Sequence, residues 1–318
     1  MSPLYTTVHS NQRRAMGMVK TGGVQMVQVD GRFQVWTKRV GAGPITLLTL
    51  HGGPGCTHEY FECFEDFLPQ RGVQIIYYDQ LGSAYSDQPD DPGLWTVERF
   101  REEVEQVRAA LGLEDFYLLG HSWGGMLGIE YALRYQGHLK GLIISNMTAS
   151  IPAYVASISE LRRQLPPEVI RTLEKYEATG DYTAPEYEDV IFKRIYTKHL
   201  CRLDPWPEPL VRMFRHLNTR VYNTMQGPNE FVVTGTFKDW DRWDDLPRIA
   251  VPSLLLGARF DTMKATDIEK MGALIPRSRV AICEQGSHCA MYDDQEAYFR
   301  HLLQFIGDVE AGAWRKQQ

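Results

Sequence analysis

Between residues 24 and 40 apolar and polar side chains alternate in VQMVQV and FQVWTKRV, on either side of Asp30-Gly31. A period of two gives a strand two different faces, and Asp-Gly is a strong two-residue turn signal, so this stretch predicts an antiparallel hairpin. Beyond it the pattern changes. ITLLTL (45–50), VQIIYY (73–78), FYLLG (116–120) and LKGLIIS (139–145) are short, nearly continuous apolar runs, as expected of strands buried on both faces of a parallel sheet. Between them lies TVERFREEVEQVRAAL, in which Val97, Phe100, Val104, Val107 and Leu111 recur at helical spacing. Strands alternating with helices imply right-handed crossovers, hence an α/β fold: a mostly parallel, doubly wound sheet that starts with an antiparallel hairpin.

The alternation stops near Met147 and returns with VPSLLLG (251–257) and SRVAICE (278–284), followed by a closing helix from about Asp293. The residues between, 148–247, have a helical and charged pattern with several prolines and many aromatics. They read as a helical insertion capping a core domain made of 1–147 and 248–318. A chain of 318 residues, 43% of them hydrophobic, can bury such a core and carry the insertion.

Charge and cysteine content exclude several classes. A net charge of −6 with both signs interspersed offers no basic stripe to neutralise phosphates, so nucleic acid is not an expected partner. MSPLYTTVHSNQRRAMG at the N-terminus lacks the apolar stretch of a leader, and no apolar run is long enough to span a bilayer. The expected location is cytoplasmic, off the membrane. Five scattered cysteines do not make a disulfide framework in a chain of this size. Cys283 and Cys289 flank His288 but lack the CxxC pairing of a zinc site, so they read as buried thiols and no metal is expected.

The chemistry concentrates at strand ends. FYLLGHSWGG puts Gly120-His121-Ser122-Trp123-Gly124 after an apolar strand and before the helix-like MLGIEYALRY. That is the context of a nucleophile elbow, in which a serine on a sharp turn projects above the sheet and flanking glycines allow close backbone approach. His121 faces away from the serine and reads as packing. A serine hydroxyl needs a base and an orienting carboxylate. His288, in AICEQGSHCAMY, follows the last strand on a glycine-containing loop, and Asp261, in VPSLLLGARFDTM, follows the strand before it. Asp267 competes with Asp261 but falls in a helix-like segment. LHGGPG (50–55) ends the ITLLTL strand with consecutive glycines whose amides can turn inward, making the Gly53 and Trp123 amides candidates for an oxyanion hole.

HGGPG (51–55), YYDQLGSAYSD (77–87), GHSWGG (120–125), GPNEF with TGTFKDWD (227–241) and the Asp261 and His288 loops together resemble, over nearly the whole chain, the proline iminopeptidase group of the alpha/beta-hydrolase fold. That group includes the tricorn-interacting aminopeptidases and is similar to L-amino acid amidases. The resemblance implies a serine aminopeptidase that needs no cofactor or metal and releases an N-terminal residue, often proline, from short peptides, amino-acid amides or arylamides. Carried over by position, it makes Ser122 the nucleophile, His288 the base, Asp261 its orienter and Gly53 and Trp123 the oxyanion donors. It also points Glu230 into the site to bind the substrate's α-ammonium. Without the resemblance, Glu230 reads as an exposed loop charge. One position departs: in close relatives a second carboxylate follows the catalytic aspartate, and here Thr262 stands there, which favours amino-acid amides as variant substrates.

Two other readings stay open on residues alone. An esterase, lactonase or carbon–carbon hydrolase would keep the triad but have no use for an anion facing its substrate. A binding module on the same scaffold would have no need of a triad. Haloalkane dehalogenase and epoxide hydrolase chemistry needs a carboxylate where Ser122 stands.

Overall fold

The computed structural model describes residues 21–314; the N-terminal stretch read for a leader lies outside them. Eight strands run β1 (Thr21–Val29), β2 (Phe33–Val40), β3 (Ile45–Leu50), β4 (Val73–Asp79), β5 (Phe116–His121), β6 (Leu139–Ser145), β7 (Ser253–Ala258) and β8 (Ser278–Cys283). They form one sheet in the order β1-β2-β4-β3-β5-β6-β7-β8. β2 is antiparallel to both β1 and β4, and from β4 through β8 all neighbours are parallel. The hairpin differs from a two-residue loop by one position. Asp30 and Gly31 do adopt positive φ (52° and 67°), but Val29 pairs with Phe33, which leaves Arg32 as a third connecting residue.

The apolar runs divide by parity between the two sides of the sheet. Leu48, Leu50, Leu118, Leu142, Ile144 and Leu255 join one core cluster, while Leu47, Leu119, Ile143, Leu254 and Leu256 join the other. Strands covered on both faces leave few positions for a polar side chain, which explains the nearly continuous apolar runs. The first cluster is closed by α1 (Val97–Leu111) and α2 (Trp123–Tyr135), the second by the C-terminal helix Gln295–Glu310. In α1 the expected stripe is buried at Phe100, Val104 and Val107; Thr96 accepts from the Arg99 amide at its start and Gly112 turns left-handed at its end. The closing helix comes in two pieces, Ala290–Asp293 and Gln295–Glu310, broken at Asp294.

Between β6 and β7 the chain forms α3 (Ile151–Arg163), α4 (Pro167–Glu177) and α5 (Pro185–Val190), a turn of wider π-type winding over Ile191–Tyr196, and the helices Glu208–His216 and Thr219–Met225. It enters and leaves at one place. The Ile151 amide donates to Trp240 C=O (2.9 Å) and the Arg242 amide to Ala149 C=O (2.8 Å). The carboxyl ends of β3, β5, β6, β7 and β8 lie along one edge of the sheet. Because β4 lies on one side of β3 and β5 on the other, the winding reverses beside β3, and a crevice opens at the ends of β3 and β5.

Candidate active site

Ser122 stands between β5 and α2 with φ 56° and ψ −127°, backbone angles that a side chain adopts only when its surroundings hold it there. Its amide donates to Ser145 C=O (3.0 Å) and its carbonyl accepts from the Gly125 amide (2.7 Å). A Cβ on Gly120 would sit 1.9 Å from the Gly124 carbonyl oxygen, and one on Gly124 would sit 2.0 Å from that of Leu50. The two glycines are therefore demanded by backbone packing. The turn presents Ser122 to a cavity of about 350 Å³ that Gly53, Glu230 and His288 also line.

His288 and Asp261 meet across the ends of β8 and β7, with Nδ1 of His288 3.0 Å from Oδ1 of Asp261. The Asp261 side chain is fully buried. Its Oδ1 also accepts from the Met263 amide (3.2 Å) and its Oδ2 from the Asn146 side-chain amide (2.8 Å). Burial alone would raise this carboxyl, but the charge and hydrogen bond of His288, with Asn146 and Met263, hold it below the usual carboxylate value. For His288 the balance is reversed: burial alone would lower the imidazole, and the charge and hydrogen bond of Asp261, with the charge of Glu230, raise it above its ordinary value. Asp267 lies in the helix Ala265–Leu274, where its nearest charged groups are Lys264 and Lys270. Asn146 was not anticipated. It follows β6 with φ 52°, and its side-chain amide also reaches Ser287 C=O (3.3 Å), tying the aspartate loop to the histidine loop. Its position just past a strand end is the signal that could have found it.

Gly53 (φ 26°) sits in a turn closed by the Cys56 amide donating to its carbonyl (2.9 Å). Trp123 opens α2, so its amide is one of the helix-start N–H groups that have no intrahelical acceptor. The His121 ring is buried against Tyr60 and His288 and borders the same cavity as Ser122.

Glu230 is half-buried, and each of its carboxylate oxygens meets a tyrosine hydroxyl. Tyr222 donates to Oε1 (2.5 Å), while the Tyr154 hydroxyl lies 3.1 Å from Oε2 and 3.0 Å from the Glu230 carbonyl. The remaining wall is mainly apolar and aromatic, including Ile191, Phe192, Leu210, Met213 and Phe214. Thr262 donates to Asp261 Oδ1 (3.2 Å) and lines a small recess with Glu230, His199 and His288. The segment between β6 and β7 also braces the histidine: the His288 amide donates to His199 C=O (2.9 Å) and the Cys289 amide to Leu200 C=O (2.8 Å). All five cysteines are buried free thiols, two of which, Cys56 and Cys289, line the cavity.

Residues 45–295 match the alpha/beta hydrolase fold family. The chain is 47% identical over 283 residues to the proline iminopeptidase of Flavobacterium johnsoniae, covering 88% of this chain and 95% of that one. It is 48% identical to the proline iminopeptidase of Elizabethkingia meningoseptica, over 88% of this chain and 96% of the other. The chain belongs to the proline iminopeptidase family. Among solved structures, the Mycobacterium smegmatis proline iminopeptidase superposes with a TM-score of 0.84 at 32% identity, over 92% of this chain and all of that one. The mostly parallel α/β sheet read from the strand pattern, and the alpha/beta-hydrolase fold that the resemblance implied, agree with the fold of the family.

Proposed function

We propose that this protein is a serine aminopeptidase that releases an N-terminal residue, proline or another small apolar one, from short peptides or amino-acid amides. Ser122 attacks the carbonyl carbon of the first residue, and His288 takes the hydroxyl proton through Nε2. Asp261 holds the opposite ring nitrogen and stabilises the imidazolium that forms. The oxyanion is received by the amides of Gly53 and Trp123. His288 then returns the proton to the departing amine, and water, activated by the same imidazole, cleaves the acyl-enzyme.

The observation that carries this reading is the Glu230 carboxylate, held by two tyrosine hydroxyls in the cavity that contains Ser122 and His288. An exopeptidase must recognise a positive terminus, and a carboxylate in a partly dry cavity does so through a charge-assisted hydrogen bond. An uncharged ester or lactone gains nothing from it. Thr262 brings a hydroxyl and no second charge, which supports amino-acid amides alongside peptides as substrates. Residues 148–247 act as a cap domain on a core of 1–147 and 248–318, a division supported by the paired entry and exit segments 149–151 and 240–242. Among the described residues no helix is long and apolar enough to cross a membrane, and buried free thiols suit a reducing, cytoplasmic setting.

A panel of prolyl and other aminoacyl arylamides, amino-acid amides and simple esters, each with the amine free and acetylated, tests the reading. Turnover confined to free-amine substrates supports it. Faster cleavage of the acetylated or ester compounds would replace the aminopeptidase with an esterase.

A further inference from the structure

Tyr60 and His121 are both almost wholly buried, and neither has a part in the chemistry above. Their polar atoms nevertheless form one continuous chain. The Gly52 amide lies 2.7 Å from the Tyr60 hydroxyl. That hydroxyl lies 3.1 Å from Nδ1 of His121, and Nε2 of His121 lies 2.8 Å from the carbonyl oxygen of His288. The direction of every bond is fixed by its ends. An amide N–H can only donate and a carbonyl can only accept. The Tyr60 oxygen therefore accepts from Gly52 and gives its own proton to Nδ1, and the His121 proton sits on Nε2, facing the His288 carbonyl. This works only with a neutral ring, because a proton on Nδ1 would leave the tyrosine proton without an acceptor. Burial, with the neighbouring His288 charge, accordingly pushes the His121 pKa down to about 3.

The chain spans the three loops on which the proposed reaction depends. Gly52 precedes Gly53, His121 precedes Ser122, and the last acceptor belongs to His288 itself. The loops are also in tight contact, since a Cβ on Gly52 would lie 2.9 Å from the Ser122 Cβ.

We infer that Tyr60 and His121 are positioning residues, a neutral hydrogen-bond relay that sets the oxyanion loop at the end of β3 against the histidine loop at the end of β8, across Ser122. The inference rests on the proposed serine mechanism. Both residues border the cavity, but their polar atoms are committed to one another, to the Gly52 amide and to the His288 carbonyl. The relay fixes the distance between the place where negative charge develops and the base, and displacements of about 1 Å in such geometry cost on the order of a hundredfold in rate.

The test uses the full-length protein and a prolyl arylamide, with active sites counted by a fluorophosphonate that labels Ser122, so that rates refer to folded enzyme. Tyr60→Phe removes one oxygen and keeps the ring packed against Phe61 (centroids 4.4 Å apart). It is expected to lower kcat roughly ten- to a hundredfold with KM within about twofold. His121→Leu is expected to do the same, and His121→Gln, which can still donate from near the Nε2 position, to recover part of the loss. In the double variant Tyr60→Phe with His121→Leu, the losses should not multiply, because the first cut already disables the relay. An unchanged kcat per labelled site in Tyr60→Phe, a loss of melting temperature alone, or multiplying losses in the double variant would each overturn the relay. If wild-type turnover survives Ser122→Ala, the serine reading fails instead, so the two failures are distinguishable.

Discussion

Replacing Glu230 by Gln keeps the shape of the side chain and removes its charge. The two tyrosine hydroxyls that meet the carboxylate can adapt, one still donating to the remaining carbonyl oxygen and the other turning to accept from the new NH₂ group. The substitution therefore leaves the cavity's packing in place and removes the charge assistance offered to a substrate ammonium. A hydrogen bond to a charged group contributes roughly 1.5 to 3 kcal/mol. At 1.36 kcal/mol per factor of ten, this is a loss of about 10- to 150-fold in kcat/KM for substrates with a free amine. The assay compares prolyl arylamide with its N-acetyl analogue in both proteins. For the acetylated compound, which has no ammonium, the change should be small or favourable. Equal losses on both compounds would instead mean that Glu230 serves the fold or the triad and not the amine.

Asp261→Asn should lower kcat by roughly 10⁴-fold, since an amide at this position holds the wrong tautomer of His288, while a thermal melt stays close to wild type. The base acts when neutral, so activity rises with pH through its pKa. With His288 raised by Asp261 and Glu230, the acidic limb of kcat/KM should lie above the ordinary imidazole value of 6.5 and move down in Glu230→Gln; an unmoved limb would show that Glu230 does not act on the base. Phe100, fully buried between Trp95 and Trp123, should cost about 3 to 5 kcal/mol of unfolding free energy when replaced by Ala, measured by denaturant titration.

What could be read from the sequence depended on how locally each feature is encoded. The parallel strands inside the sheet were legible because they are buried on both faces, and that burial leaves its mark within six or seven consecutive residues. Ser122, Asp261 and His288 were legible as strand-end residues, and the sheet brings those ends to one edge whatever lies between them. The partners that hold them were not. Asn146 meets Asp261 from 115 positions away, Tyr154 meets Glu230 from 76, and Tyr60 meets His121 from 61. No periodicity records such pairings: the last two arise where a helix of the β6–β7 segment or the loop after β3 folds over the sheet edge, and Asn146 meets Asp261 across the neighbouring ends of β6 and β7. Glu230 is the intermediate case. Nothing within its own segment separates it from a surface charge, and its inward position became readable only through the resemblance of GPNEF to a family pattern. The extra residue in the first hairpin was hidden for a different reason. Asp30-Gly31 encodes the turn correctly, but the pairing of Val29 with Phe33 is set by strand register.

In the proposed reaction Ser122 attacks the carbonyl of an N-terminal residue. Its most direct test is the rate of prolyl arylamide cleavage by Ser122→Ala, compared with wild type at equal concentrations of folded protein. Loss of a triad nucleophile should reduce kcat by roughly a millionfold, leaving no burst of released arylamine. Survival of half the wild-type rate would mean that Ser122 is not the nucleophile.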